Sequence, residues 1–154
     1  MIASLIWLAG VDEQVDNTAE LTFKHGNEGI DWTTLKSLLT EDDFDNGRTP
    51  EQLRISFENS HSVCFVTHGG RTIAKARLIS DGVCNAYLVD VWTYTPYRRR
   101  GVASEMIRQL LERVPGQHVY LQADDDVITF YDKLGFRSQP SGLSIVVGRW
   151  LQNT

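Results

Sequence analysis

Between residues 62 and 94 the chain sets three β-prone runs almost end to end. They are SVCFVTH (62–68), RTIAKARLIS (71–80) and NAYLVDVWTY (85–94), joined by Gly69-Gly70 and across Asp81-Gly82. A parallel pairing needs a crossover of about a dozen residues or more, and these joints are far shorter. Glycine supplies the positive φ that tight hairpin turns demand, and Asp-Gly between β-prone runs is a strong hairpin signal. The stretch predicts an antiparallel meander with no helix between its strands. That requirement excludes a simple alternation of strands and helices as the whole fold.

After residue 94 the apolar period switches from two to 3.6. Val102, Ala103, Met106, Ile107, Leu110, Leu111 and Val114 form a stripe opposite Glu105, Arg108, Glu112 and Arg113, which predicts a helix over 101–114 stopped by Pro115-Gly116. Upstream, ELTFKHG (20–26) reads as a strand. A helix over 30–39 follows with Asp31 as its cap, then one over 49–57 with Thr49 as cap and Pro50 at its first position. Downstream, 118–123 reads as a strand, 127–134 as a short helix ended by Gly135, and 143–150 as a last strand. The order β-α-α-β-β-β-α-β-α-β is that of a mixed α/β (α+β) sheet. The domain covers residues 20–154, and residues 1–19 form an N-terminal extension read as an extra strand or an interface segment.

The handover at residue 97 is written YRRRGVASEMI. Three arginines in a row read equally as a solvated basic turn or as part of an anion site. The first backbone amides of a helix have no partner within it, and the dipole places partial positive charge there, so phosphate is favoured at such a start. Gly101 admits close backbone approach, and arginines add bidentate hydrogen bonds to phosphate oxygens. Neither GxxxxGK[ST] nor GxGxxG occurs, which disfavours a P-loop or dinucleotide site. The chain's net charge is −5, which argues against a nucleic-acid surface and for a small anionic ligand bound locally.

Arg98-Arg99-Arg100-Gly101-Val102-Ala103 resembles the Arg/Gln-x-x-Gly-x-Gly/Ala motif of the GCN5-related N-acetyltransferases, the GNAT superfamily. A second segment, FYDKLGF (130–136), is similar to the family's aromatic-Tyr-x-x-hydrophobic-Gly-Phe segment, in the right order and one strand later. The resemblance covers about residues 20–150, and within it the chain is also similar to a small bacterial and plastid group of arylalkylamine-type enzymes. It departs from the family in having Thr95, with Pro96 next, where a proline is common, and Asp124 where several members have asparagine.

The resemblance implies acetyl-coenzyme A as co-substrate. The backbone amides of Arg99, Arg100, Gly101, Val102, Ala103 and Ser104 would take the pyrophosphate, with Arg98 opening the motif. The pantetheine arm would run beside Val91, Trp92 and Thr93 like an added strand. Tyr131 matches the tyrosine that protonates the departing thiolate. Its alternative is to pack its ring between Phe130 and Phe136. Asp90, on the strand beside the expected acetyl group, is a candidate general base, an acceptor contact or a strand cap. The implied reaction is direct transfer of acetyl to a primary amine, expected to be a small molecule. A protein lysine or N-terminal amine is the alternative acceptor, and a non-catalytic module that binds coenzyme A is the alternative class.

Trp32, Phe44, Phe57, Tyr87 and Trp92, with Asp42, Asp43, Asp45 and Asp90, would suit a cationic or aromatic amine; the alternative is that Trp32 and Phe57 are core and the Asp run is a surface loop. Cys64 and Cys84 sit among β-prone neighbours and read as buried free thiols. No metal-ligand spacing appears. The apolar start MIASLIWLAG is shorter than the roughly 20 residues a membrane span needs and lacks a basic leader, so no membrane association is expected and a cytoplasmic location is. The apolar N-terminus and the final strand are candidate surfaces for a homodimer.

Overall fold

The computed structural model describes residues 20–139 and 141–147. The meander is present. Strands β2 (Ser62–His68), β3 (Arg71–Ser80) and β4 (Asn85–Thr93) pair antiparallel in sequence order. Gly69 and Gly70 both adopt positive φ in the first hairpin turn, as its two-residue length requires. β1 (Thr22–Lys24) adds antiparallel to β2, and β5 (His118–Tyr120) adds parallel to β4, giving the order β1-β2-β3-β4-β5.

The helices form where the caps predict them. α1 (Trp32–Glu41) starts at Asp31, whose carboxylate accepts from the Thr34 amide at 3.0 Å. α2 (Pro50–Glu58) carries a reciprocal cap in which Thr49 and Gln52 each accept from the other's backbone. α3 (Val102–Leu111) follows a 3₁₀ turn at Thr95–Tyr97, and α4 (Ile128–Lys133) is a short helix near the end of the described chain.

The sheet is covered on both faces, which explains the near-continuous burial along β2 and β3. Phe65 packs with Trp32 and Phe57 on the α1–α2 side. Cys64 next to it points to the other face, toward Glu105 and Arg113. There Val102, Met106, Ile107 and Leu110 of α3 are buried.

Two expectations are corrected. Residues 143–147 form no strand, and Leu143, Ile145 and Val147 are exposed. Apolar alternation makes a strand only where a sheet edge offers backbone partners, and β5 is three residues long. Residues 148–150 of that expected strand, and all of 1–19, lie outside the described residues. Cys84 is exposed while Cys64 is buried. The Cys84 segment is drawn into a surface loop because one Asp81 carboxylate oxygen accepts from the amides of Val83, Cys84 and Asn85.

Candidate functional site

β4 and β5 part company early. Their register covers only Asn85 with His118, Ala86 with Val119 and Tyr87 with Tyr120. From Leu88 to Thr93, β4 has no neighbour on that side among the described residues, so its backbone groups there are open to a ligand. The end of this stretch leads through the 3₁₀ turn into the start of α3. Pro96 sits in that turn, so a proline still makes the bend although Thr95 occupies the family's usual proline position.

Arg99 (φ 63°) and Gly101 (φ 78°) both adopt left-handed backbone just before α3. For arginine this is an uncommon conformation, and such residues gather at functional sites. Gly101 is the N-cap, and no side chain caps the helix, so the first amides keep no partner from that source. Arg100 lies over the Tyr97 ring at 5.7 Å. The hydroxyl of Thr93, at the end of open β4, is buried without a hydrogen-bond partner. A buried orphan hydroxyl carries a desolvation cost that a polar ligand would remove. It therefore fits a hydrogen-bonding arm such as pantetheine lying along β4.

Arg98 has a different task. Its Nε donates to the Thr93 carbonyl at 2.8 Å and an amino group donates to Asp42 at 2.7 Å. Asp42 also accepts from Trp92 Nε1 at 2.8 Å and from the Thr95 amide at 3.3 Å. One carboxylate at the C-terminus of α1 thus ties the end of β4, the turn and the arginine run together. Asp42 is a positioning residue, not the free acid expected for binding a cationic acceptor.

Asp90 is the most constrained side chain of the site. In the pairing of β3 with β4, Lys75 faces Trp92 and Arg77 faces Val89, so Asp90 and Val91 together oppose Ala76. That is a β-bulge, and Asp90 takes φ 59° within it. Its carboxylate accepts from both amino groups of Arg48, from Arg77 Nε and, at 3.4 Å, from Lys75 Nζ. Lys75, completely buried, also donates to the Asp90 carbonyl at 3.3 Å and lies 5.3 Å from the ring centres of Phe44 and Phe57. Burial pulls in the opposite direction, but Lys75, Arg48 and Arg77 together hold the Asp90 carboxyl far below the ordinary carboxylate range. A carboxylate with every oxygen engaged by cations has almost no basicity. The base role considered for Asp90 does not fit this geometry. Burial also lowers Lys75 from 10.5 to about 8, its attraction to Asp90 offsetting only part of that cost.

The aromatic and acidic residues expected around a cationic acceptor are mostly engaged elsewhere. Trp32 and Phe57 are core rings, Trp92 is buried, and Asp45 pairs with Lys36.

Tyr131 lies on α4, where no residue is fully buried. Its ring sits edge-on to Phe130 at 5.0 Å and to Phe136 at 5.8 Å. Burial alone raises its pKa, so the phenol keeps its proton at neutral pH. It lines an open cleft with Tyr87, Leu121 and Phe136, at the point where β4 and β5 begin to separate. The structure thus brings Tyr131 to the closed end of the gap, while residues 98–104 lie at its other end and do not line that cleft. No described helix is long and apolar enough to cross a membrane. Among the described residues no cluster could hold a metal ion.

Sequence reasoning missed Arg48, Lys75 and Arg77 as site residues. The signal for two of them was present: Lys75 and Arg77 fall on the same strand face as Ile73.

The model of the acetyltransferase (GNAT) family matches residues 32–136. The soybean (Glycine max) protein named histone acetyltransferase TAP1 is 32% identical over 111 residues, covering 62% of this chain and 48% of that protein. The Arabidopsis thaliana protein named GCN5-related N-acetyltransferase 1, chloroplastic, is 26% identical over 141 residues, covering 88% of this chain and 71% of that one. This chain thus spans about half the length of the first relative and more of the second. Among solved structures, a GNAT family acetyltransferase from Streptococcus pneumoniae superposes with a TM-score of 0.70 at 20% identity, over 84% of this chain and 99% of that one.

Proposed function

This chain belongs to the acetyltransferase (GNAT) family, and from that premise we propose that it transfers acetyl from acetyl-coenzyme A to the primary amine of a small molecule. The observation that carries the reading is the opening between β4 and β5. It has free backbone and an orphan Thr93 hydroxyl along one side, and uncapped helix amides at one end. Acetyl-coenzyme A supplies the activated thioester carbonyl.

The chain's own residues supply the rest. The amides of Arg99 to Ser104, in the field of the α3 start, hold the pyrophosphate. Val91, Trp92 and Thr93 offer their strand edge to the pantetheine, and Thr93 adds its hydroxyl. Arg98 and Asp42 hold the turn so that these two contacts keep a fixed spacing. As the C–N bond forms and the C–S bond breaks, Tyr131, protonated at neutral pH, donates its phenolic proton to the departing sulfur, and the proton that the acetylated nitrogen gives up restores the phenol through water. Asp90 holds the bulge beside Val91, and the acceptor ammonium loses its proton to water.

The test is release of free thiol from acetyl-coenzyme A, with mass detection of the acetylated product, over a panel of small amines and lysine peptides. Amine-dependent turnover on small molecules supports the reading. Turnover on peptides alone would transfer the acceptor to protein, as the name of the soybean relative suggests for that protein. Coenzyme binding with no turnover on either set would leave a binding module.

A further inference from the structure

We propose that the acceptor amine also carries an anionic group, a carboxylate or a phosphate, and that Arg77 and Arg48 recognise it. This rests on the acetyltransferase reading and names its substrate class. The argument starts from a charge count. Arg48, Lys75 and Arg77 surround one carboxylate, Asp90, and the side chains are 10%, 0%, 14% and 10% exposed in that order. The neighbouring acids are spoken for, Asp42 by Arg98 and Asp45 by Lys36. Two positive charges are therefore in excess where little water reaches, and one remains even with Lys75 neutral. Buried charges are paired as a rule, so a surplus of this kind points to a partner that the chain does not itself provide.

The donors divide by role. Lys75 is wholly buried and fastens the bulge through the Asp90 carbonyl and carboxylate. Arg77 gives Nε to Asp90 and one amino group to the Ser56 carbonyl and the Ser60 hydroxyl. Its second amino group has no partner among the described residues. Arg48 gives Nε to Asn46 and one N–H of each amino group to Asp90, leaving the others unspent. Guanidinium edges match the oxygen spacing of carboxylates and phosphates. Asp90 directly precedes Val91, so the surplus charge stands beside the open stretch of β4. An acceptor that is only a cation meets like charge there. One bearing an anion meets two guanidinium groups.

The experiment compares matched ligands on the full chain. Turnover is measured for tyramine against tyrosine, and for glucosamine against glucosamine 6-phosphate. Calorimetric binding of N-acetyltyramine against N-acetyltyrosine gives a readout that needs no catalysis. The expected result is an advantage of about tenfold or more for at least one anionic member, as a charge-assisted contact gives. Arg77→Gln should erase the advantage while Arg77→Lys keeps part of it. Whichever pair shows it distinguishes carboxylate from phosphate. Equal behaviour within both pairs, in turnover and in binding, overturns the proposal while leaving acetyl transfer intact. So does an advantage that survives in a folded Arg77→Gln. Should Arg77→Gln not fold, the ligand pairs on the unaltered chain decide the matter alone. Absence of turnover on every amine would count against the acetyltransferase reading, and the binding comparison would still support or overturn this one.

Discussion

The two halves of the β4–β5 gap are built in opposite ways. On the β4 side, the inward residues of β3, β4 and α3, among them Ile73, Leu78, Leu88, Met106 and Ile107, are packed to near-zero exposure, and even the charges are locked: Lys75 is buried, Asp90 is held by three cations, and Asp42 accepts from three donors. On the β5 side the strand has three residues, α4 has none that is fully buried, and Leu143, Ile145 and Val147 face solvent. The side that would hold the coenzyme is preorganised, and the side bearing the Tyr131 phenol packs against the core only through half-buried residues such as Phe130, Leu134 and Phe136. The proposed function thus implies a division of labour in which stability and cofactor grip come from one wall. On the proposed function, the other wall contributes one proton donor, Tyr131. Mutations on the two walls should therefore separate stability from turnover.

The largest expected effect is on the packed wall. Asp90→Asn leaves three cations around a group that cannot neutralise them, and removing one partner of a buried ion cluster costs about 3–5 kcal/mol. The denaturant midpoint of the purified variant measures it. A loss below about 1 kcal/mol would mean that water already shields the cluster and that the two walls are less different than they look. Across the gap, Tyr131→Phe should lower turnover about a hundredfold, in the range of general acid catalysis, and change stability by less than about 1 kcal/mol. A drop in stability with unchanged turnover would reduce Tyr131 to the packing role its neighbours Phe130 and Phe136 also offer.

The same contrast decides what can be read from the sequence. The packed wall was legible where local rules govern: Asp31 and Thr49 cap their helices, Gly69-Gly70 turns its hairpin, and the stripe from Val102 to Leu110 finds the sheet. The motif glycine at 101 was legible too, since left-handed backbone before a helix favours that residue. Long-range pairing was not. Nothing local says that Asp90 meets Arg48 or that Asp42 meets Trp92 and Arg98, because partners some 40 to 56 positions apart are chosen by topology. The expected final strand was over-read at residues 143–147 for the opposite reason: its alternation is local, but strand formation depends on a free edge.

A smaller effect sharpens the account of the gap itself. Thr93→Val removes the buried hydroxyl that has no partner in the free protein. Stability should stay level or rise by up to about 1 kcal/mol, since an unmet polar group is replaced by an apolar isostere. The KM for acetyl-coenzyme A should rise by roughly three- to tenfold, the worth of one hydrogen bond. Both signs are needed. Lower stability with unchanged KM would place the hydroxyl in the fold and remove it from the cofactor site.

The smallest and most selective test is the pH dependence of stability, because two buried groups of the packed wall oppose each other. Lys75 falls from 10.5 to about 8 on folding, so between those values the unfolded chain binds more protons than the folded one. Stability must then rise with pH across that window. Cys64 moves the other way, pushed up by burial from 9.0 to about 12, so above pH 9 the folded chain keeps a proton that the unfolded chain loses. Stability falls with pH on that account. The two slopes are similar and cancel above pH 9, leaving a modest rise between pH 8 and 9 and a plateau after it. Lys75→Met should abolish the rise and expose a decline beginning at pH 9, while Cys64→Ala should extend the rise toward pH 10.5. At the acid end Asp90 gives a slope of the same sign as Lys75: its contribution is complete above its unfolded value of about 3.8 and is lost as pH drops toward its lower folded one. Denaturant midpoints from pH 7 to 10.5 for the three chains read out the alkaline terms. A wild-type curve flat from 8 to 9 would show that Lys75 reaches water, and with it the packed wall would lose its claim to hold charge in the dry.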